Sequence, residues 1–257
     1  LTDHLAQHGF VVVGMDHPHN SMLDLDVDLT AQVMLDRPTD VIVSVDQVLA
    51  LNADDPLLWG LVQGDEYAMI GHSFGAFTAL LVGGGETDFA YGATFCEASS
   101  NLGCNFFDGL DLDLAAVPES DPRAVLIVPM APGGWYAFGE DGVGLSTTVP
   151  SLVFAGDEDG ELPYESEGAP VISAMGSPSI GVTVHGGGHW GFSDLCALIP
   201  VEDCAGEAGG FIDPLLSQQI SKTLVTAAVG EALTGNPDYL PWLQPDAWGP
   251  EITLEAR

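Results

Sequence analysis

A serine stands between two glycines in the segment Gly71-His72-Ser73-Phe74-Gly75, which fits the pattern Gly-x-Ser-x-Gly. The short apolar run at residues 67–70 predicts a strand before it, and residues 74–82 after it have the composition of a helix. In that setting the glycines allow a tight turn from strand to helix, which holds a strained serine with its hydroxyl exposed. The segment therefore predicts that Ser73 is a nucleophile.

A serine hydroxyl is a poor nucleophile unless a histidine takes its proton and a carboxylate orients that histidine. Two later segments supply these residue types, each at the end of a predicted strand: Gly156-Asp157-Glu158-Asp159-Gly160 and His185-Gly186-Gly187-Gly188-His189. The residues alone do not decide which carboxylate of the first segment is the acid, or whether His185 or His189 is the base. They predict a Ser-His-Asp triad that performs acyl transfer.

Strands that alternate with helices are expected to position these side chains. Strands are predicted at residues 10–15, 67–70, 124–128, 151–155 and 181–185, and helices at 2–9, 38–51, 74–82, 164–175 and 215–233. The alternation predicts an α/β fold, with a mostly parallel sheet and helices on both faces. Ligands of such sheets bind beyond the carboxyl ends of the strands. Neither a linker nor a repeat divides the sequence, which predicts one domain over residues 1–257.

Together with these features, several further segments make the sequence resemble a known superfamily. It is similar to the α/β-hydrolases, and within them to the dienelactone-hydrolase-like and platelet-activating-factor-acetylhydrolase-like esterases, with the cutinase-like polyester hydrolases nearby. The resemblance rests on residues 5–18 (LAQHGFVVVGMDHP), 37–40 (RPTD), 71–76 (GHSFGA), 156–163 (GDEDGELP) and 189–194 (HWGFSD). These segments follow one another in order over nearly the whole chain.

The resemblance implies the α/β-hydrolase fold and the chain order serine, acid, histidine. It selects Asp159 as the acid, three residues after the glycine that ends its strand, and His189, in an H-x-x-F turn, as the base. It also implies that the backbone N–H of Phe74 is one oxyanion donor. The second donor would come from a loop before the first helix, so the resemblance predicts that the N-terminal strands of the fold are lacking. Either the protein continues upstream of Leu1, or another residue supplies the second donor.

The function that the resemblance implies is that of a serine carboxylesterase for small to medium esters, with no cofactor. A polyester or lipid-ester hydrolase is one alternative, and a non-catalytic binding protein that retains the triad is another. Trp135 and Trp190 are candidate walls of a substrate pocket, with ordinary packing as the alternative. The polar connection that includes the Cys96–Cys104 loop and residues 108–122 stands where this fold would carry a lid.

The four cysteines fall into two pairs with equal spacing, Cys96 with Cys104 and Cys196 with Cys204. Neither spacing is typical of a zinc site, and local pairing is the simplest of the three possible connectivities. Free buried thiols are the alternative. The spacing favours two disulfides, which predict a secreted or periplasmic protein.

The composition is strongly acidic, with 38 Asp and Glu residues, four Lys and Arg residues and a formal net charge of −34. We expect no nucleic-acid partner, because phosphate binding needs clustered basic residues. A surface adapted to salt, from a halophilic or marine source, explains such charge. We predict no metal at the acidic residues 24–28, 108–113 or 157–159; the first of these segments lacks the glycine and closing glutamate of a calcium loop. The longest apolar stretch, residues 124–131, is too short to span a membrane.

Overall fold

The computed structural model describes residues 1–21, 23–107, 109–111, 120–198 and 201–257. The α-helices in these ranges are α1 (Thr2–Gln7), α2 (Thr30–Asp54), α3 (Phe74–Val82), α4 (Phe89–Cys96), α5 (Gly168–Ala174) and α6 (Pro214–Thr234). The strands are β1 (Tyr67–His72), β2 (Ala124–Met130), β3 (Ser151–Gly156), β4 (Ser179–Val184) and β5 (Ile252–Ala256). Residues 108 and 112–119 lie outside the described residues, and with them most of the predicted lid and of the acidic segment 108–113.

The five strands form one sheet in the order β1-β2-β3-β4-β5. Strands β1 to β4 run parallel to one another, and β5 pairs antiparallel with β4. The register places His72 beside Met130 and Met130 beside Phe154, so the strands end together at one edge. The predicted α/β fold with a mostly parallel sheet is confirmed. This shared edge is where chain segments from distant parts of the sequence meet.

Helices pack on both faces of the sheet because the side chains of its central strands alternate. On β2, Leu126 and Val128 belong to a core cluster with Leu224 of α6, whereas Ile127 belongs to a second cluster with Leu80 of α3. Full burial stabilises each such side chain by about 1.5–3 kcal/mol relative to its exposed state. The two cores fix α3 and β1, which flank Ser73.

The prediction of a buried strand at residues 10–15 is wrong. This segment has no regular secondary structure, and 44% of both Val11 and Val13 is exposed. Phe10 and Val12 do pack against the α6 side of the core, which accounts for the apolar run. A strand also needs a neighbour for its backbone N–H and C=O groups, and the sequence pattern does not report whether that neighbour exists.

The helix predicted at residues 38–51 is the second half of a longer one. Helix α2 has 25 residues and begins at Thr30, so Pro38 lies inside it rather than at its start. Pro38 removes one backbone donor but is buried, and the helix continues past it. The helix predicted at 164–175 is shorter than expected, because α5 begins only at Gly168. None of the helices in the described ranges is long and apolar enough to cross a membrane.

Both predicted disulfides are confirmed. Cys96 is bonded to Cys104 and Cys196 to Cys204, each pair eight residues apart. Two disulfides are compatible with an extracellular location.

Candidate active site

Ser73 lies on a sharp turn between the end of β1 and the start of α3. Its backbone has φ 56° and ψ −117°, a positive φ that non-glycine residues rarely adopt and that costs on the order of 1–3 kcal/mol. A Cβ atom on Gly71 would lie 1.9 Å from the carbonyl oxygen of Gly75, so this position requires glycine. On Gly75, a Cβ would meet nothing closer than an Arg37 nitrogen at 3.7 Å. Only the first glycine of the motif is therefore sterically required here.

A chain of hydrogen bonds joins Ser73, His189 and Asp159. The Ser73 Oγ lies 2.9 Å from His189 Nε2, and His189 Nδ1 lies 2.8 Å from Asp159 Oδ2. A carboxylate can only accept, so we assign the imidazole proton to Nδ1, which leaves Nε2 to accept the serine proton. Asp159 and His189 are buried, with 6% and 3% of their surface exposed. This geometry would allow His189 to accept the Ser73 proton while Asp159 orients the imidazole ring.

The loop after β3 fixes the Asp159 carboxylate. Its Oδ1 accepts the backbone N–H groups of Glu161 at 2.9 Å and Leu162 at 2.7 Å, while Oδ2 is left to His189. At the start of the loop, a Cβ on Gly156 would lie 2.1 Å from the carbonyl oxygen of Gly187. The loops that carry the acid and the histidine therefore touch through their backbones.

A second Asp–His pair lies nearby but does not involve Ser73. Asp157 Oδ2 is 2.8 Å from His185 Nδ1, and His185 Nε2 is 2.9 Å from Thr253 Oγ1. The side chains of Asp157 and His185 are 32% and 43% exposed. Of the alternatives that the residues alone left open, the structure brings Asp159 and His189 to the serine.

Asp203, which was not among the predicted site residues, holds the turn that carries His189. Asp203 Oδ2 accepts the backbone N–H of Trp190 at 2.6 Å, and a Cβ on Gly188 would lie 2.2 Å from the Asp203 Cβ. Asp203 precedes Cys204, so the Cys196–Cys204 disulfide restrains the segment that holds the histidine turn. In the sequence Val201-Glu202-Asp203-Cys204, no motif indicates that Asp203 holds the histidine turn.

Replacing both Cys196 and Cys204 by alanine is expected to lower the free energy of unfolding by about 2–3 kcal/mol, the loop-closure entropy of a short disulfide loop. Urea unfolding followed by circular dichroism measures the loss. The Cys96→Ala/Cys104→Ala variant is the matched control, because it opens a loop of equal length. Unchanged stability in both would contradict the claim that the bonds form in solution.

Phe74 follows the nucleophile, and its backbone N–H lies in the first turn of α3, where helical N–H groups have no acceptor within the helix. Its ring lies between the Arg37 guanidinium, 4.4 Å from the ring centre, and the stacked ring of Phe106 at 4.3 Å. Arg37 is held by Thr78 Oγ1 at 2.8 Å and Asn20 Oδ1 at 2.5 Å. These contacts fix the side chain of the residue that directly follows Ser73.

Arg37 is a buried cation, and burial lowers its pKa to about 10. It therefore keeps its positive charge at neutral pH and its attraction for the electron-rich face of Phe74. In the sequence, Arg37 stands out only as part of a resemblance motif, which predicts none of these contacts.

The two tryptophans differ in their relation to the histidine. The Trp190 ring lies edge-on to His189 at 4.9 Å between centres. The Trp135 ring packs at 5.2 Å against Phe95, and its Nε1 donates to the Ser166 carbonyl at 2.8 Å. Both are partly exposed. Their predicted role as substrate walls remains a prediction.

His17 and His19 do not hydrogen-bond to Ser73, Asp159 or His189 in the described structure. His17 Nδ1 lies 2.7 Å from Asp40 Oδ2, and the backbone N–H of His19 donates to Asp24. Burial, the largest influence on His17, lowers its pKa. These contacts within and beside the loop are consistent with a packing role for His17 and His19.

The described residues hold one group with the spacing of a metal site, Cys196, Asp203 and Cys204. Both sulfur atoms are in the disulfide, so they are not free to bind an ion.

A cavity of about 540 Å³ lies between residues 10–17, β1 and α2, with mostly apolar walls. His72 and Gly75 line it, whereas Ser73, Asp159 and His189 do not. We therefore do not assign it as the place where a substrate meets the serine.

Glu167 is a fully buried carboxyl group close to the site. Its Oε2 accepts the backbone N–H of Gly134 at 2.7 Å, which anchors the turn before Trp135. Burial raises the pKa of Glu167 to about 7, against the opposing effect of the Gly134 N–H, and the negative charge of Asp159 raises it further. The Glu167 carboxyl group therefore changes its protonation state near neutral pH.

Replacing Glu167 by glutamine is expected to remove part of the pH dependence of stability. The folded pKa exceeds the unfolded value of 4.5, so the carboxyl favours folding at low pH and loses that contribution as the pH rises from about 4.5 to about 7. The free energy of unfolding of the wild type, relative to Glu167→Gln, should fall by roughly 3 kcal/mol over this window. Urea titrations at a series of pH values measure it, and parallel curves for the two proteins would contradict it.

Neither a protein-family model nor a curated protein matches this chain.

Proposed function

We propose that this protein is a serine hydrolase of carboxylic esters with the α/β-hydrolase fold. The observation that carries the proposal is the hydrogen-bonded chain from Ser73 through His189 to Asp159, at the edge where the parallel strands end. The strained backbone of Ser73, between β1 and α3, supports the same role. Strain of this kind clusters at functional sites.

In the first half of the reaction, Ser73 Oγ attacks the ester carbonyl carbon while His189 Nε2 takes the hydroxyl proton. Asp159 holds the ring in the required tautomer and stabilises the imidazolium. The Phe74 N–H donates to the carbonyl oxygen as it becomes negative. The bond to the alcohol oxygen then breaks, and the alcohol leaves with the proton from Nε2.

In the second half, water replaces the alcohol. His189 Nε2 accepts a proton from the water as the water oxygen attacks the acyl carbon. The Phe74 N–H again stabilises the oxyanion. The bond between the acyl carbon and Ser73 Oγ breaks, and Oγ regains its proton from Nε2. The carboxylic acid product leaves, and the triad is restored.

The substrates that we propose are small to medium esters, and the charge of the protein favours those that are neutral or cationic. A net charge of −34 creates a field that repels anionic substrates. A hydrolase of polyesters or lipid esters is the second candidate, because the partly exposed rings of Trp135 and Trp190 suit an apolar chain. A binding protein with an inactive triad is the third.

We further propose that the protein works outside the cytoplasm, by secretion or in a periplasm, and in a salty medium. The two disulfides support the first part, since such bonds persist in oxidising compartments. The acidic composition supports the second, because salt screens the mutual repulsion of carboxylates.

Hydrolysis of p-nitrophenyl esters of increasing acyl length, in high salt, tests the function. We expect saturable hydrolysis that is fastest with short to medium acyl groups. A maximum at long acyl groups would favour the lipid-ester candidate instead. Protein that is folded by circular dichroism yet hydrolyses no ester faster than buffer would contradict the proposal and favour a binding protein.

A further inference from the structure

His72 stands beside the nucleophile and takes no part in the proton transfers described above. Its Nε2 lies 2.7 Å from the backbone carbonyl oxygen of His189, 117 residues away in the sequence. Its ring centre is 4.9 Å from that of His189 and 5.6 Å from that of Trp190. The side chain thus reaches from the serine turn to the histidine turn.

The contact joins the two segments whose separation sets the reactive distance. The histidine turn is restrained on one side by Asp203, through the N–H of Trp190. His72 restrains the carbonyl end of the same peptide, between His189 and Trp190, from the side of β1, one residue before Ser73. Since proton transfer depends steeply on the distance between the nucleophile and the base, a shift of either turn is costly.

We propose that His72 is a positioning residue, whose Nε2–H donates to the His189 carbonyl and thereby sets the distance from Ser73 Oγ to His189 Nε2. The inference rests on the proposed ester hydrolase function and adds to it a residue outside the triad. The role is mechanical, because the hydrogen bond of His72 goes to the backbone carbonyl of His189 and not to the ring nitrogen that exchanges the proton with Ser73.

The hydrogen bond to the His189 carbonyl determines which ring nitrogen of His72 carries the proton. A carbonyl oxygen can only accept, so the proton is on Nε2 and the neutral ring has its lone pair on Nδ1. Burial, followed by the proximity of His189, lowers the pKa of His72 to about 4. The ring therefore stays neutral above that pH and places no positive charge beside the base.

Three substitutions separate the hydrogen bond from packing. Glutamine carries its Nε2 as many bonds from Cα as histidine does and is able to donate to the same carbonyl. Methionine has nearly the same length and shape as glutamine but has no donor. Asparagine has a donor that is one carbon too short. The three variants are measured for kcat and KM with a p-nitrophenyl ester, for the rate of inactivation by a fluorophosphonate, and for thermal unfolding.

We expect His72→Met and His72→Asn to lower kcat and the inactivation rate by about 10- to 100-fold with little change in KM, and His72→Gln to retain most of both. A role in packing alone would not distinguish the glutamine from the methionine variant. If His72→Met does not fold at the assay temperature, the comparison of the glutamine and asparagine variants decides.

Two results would overturn the inference in distinguishable ways. A wild-type protein that neither hydrolyses esters nor reacts with the fluorophosphonate would overturn the proposed function, and the role of His72 with it. An active wild type whose methionine variant is equally fast, or whose glutamine variant is as slow as the methionine variant, would overturn the positioning role alone.

Discussion

Replacing Ser73 by alanine is expected to lower kcat for ester hydrolysis by about a million-fold. The side chain that forms the acyl-enzyme is then absent, and neither His189 nor Asp159 has a nucleophile to activate. The oxyanion donor and substrate contacts that remain would still accelerate attack by water by about 10³- to 10⁴-fold over the uncatalysed reaction. Initial rates with the best p-nitrophenyl ester measure the loss.

The matched control for this substitution is Ser173→Ala. Ser173 is an exposed serine on α5, so the same atom is deleted where it has no access to the triad. We expect its activity to equal that of the wild type. If the Ser73→Ala protein stayed folded and kept its activity, hydrolysis would have to arise from another group, and the proposed nucleophile would be wrong.

Replacing Asp159 by asparagine is expected to lower kcat by about 10⁴-fold while leaving the fold intact. Asparagine has the same shape, but it is able to turn its amide N–H₂ toward His189 Nδ1. The imidazole proton would then move to Nε2, and the base would lose the lone pair that accepts the serine proton. Steady-state kinetics and thermal unfolding, measured together, separate this effect from simple destabilisation.

The second Asp–His pair provides the control. Asp157→Asn changes the same chemical group two residues away, where Asp157 contacts His185 and the backbone of Gly186. We expect this variant to keep nearly full activity. A large loss for Asp157→Asn together with a small one for Asp159→Asn would show that the acid has been assigned to the wrong residue.

The features that the sequence predicted correctly are mostly local. The bounds of α3, residues 74–82, follow from a continuous apolar run after the serine turn, and the structure has the same bounds. The disulfides join cysteines only eight residues apart, so the short spacing was enough to pair them. At residues 10–15 the same local reasoning was wrong, because apolar β-branched composition records burial but not the presence of a pairing strand.

The features that the sequence did not predict depend on contacts between distant segments. Strand β5 alternates apolar and polar residues near the C-terminus, and only its pairing with β4 makes it a strand. Asp203 and Glu167 look like any other acidic residue in a chain with 38 of them, although each accepts a backbone N–H beside the site. Their burial is the distinguishing property, and burial is set by the fold.

The choice between the two acids shows the same limit. Asp157 and Asp159 are alternate residues of one loop and each is followed by a suitable histidine in the sequence. The resemblance motifs selected Asp159, and the structure places that residue, and not Asp157, against His189. The residues alone did not contain this information, because the direction of a side chain in a loop is decided by backbone hydrogen bonds such as those to Glu161 and Leu162.

Covalent labelling by a fluorophosphonate tests whether the serine is activated, since an ordinary serine hydroxyl does not react readily with such a reagent. The labelled protein is digested and the modified peptide is identified by mass spectrometry. We expect an adduct on Ser73, formed rapidly in the wild type and in His185→Ala but very slowly in His189→Ala. Folded wild-type protein that forms no adduct, or that forms one on a different residue, would contradict the assignment of Ser73 as an activated nucleophile.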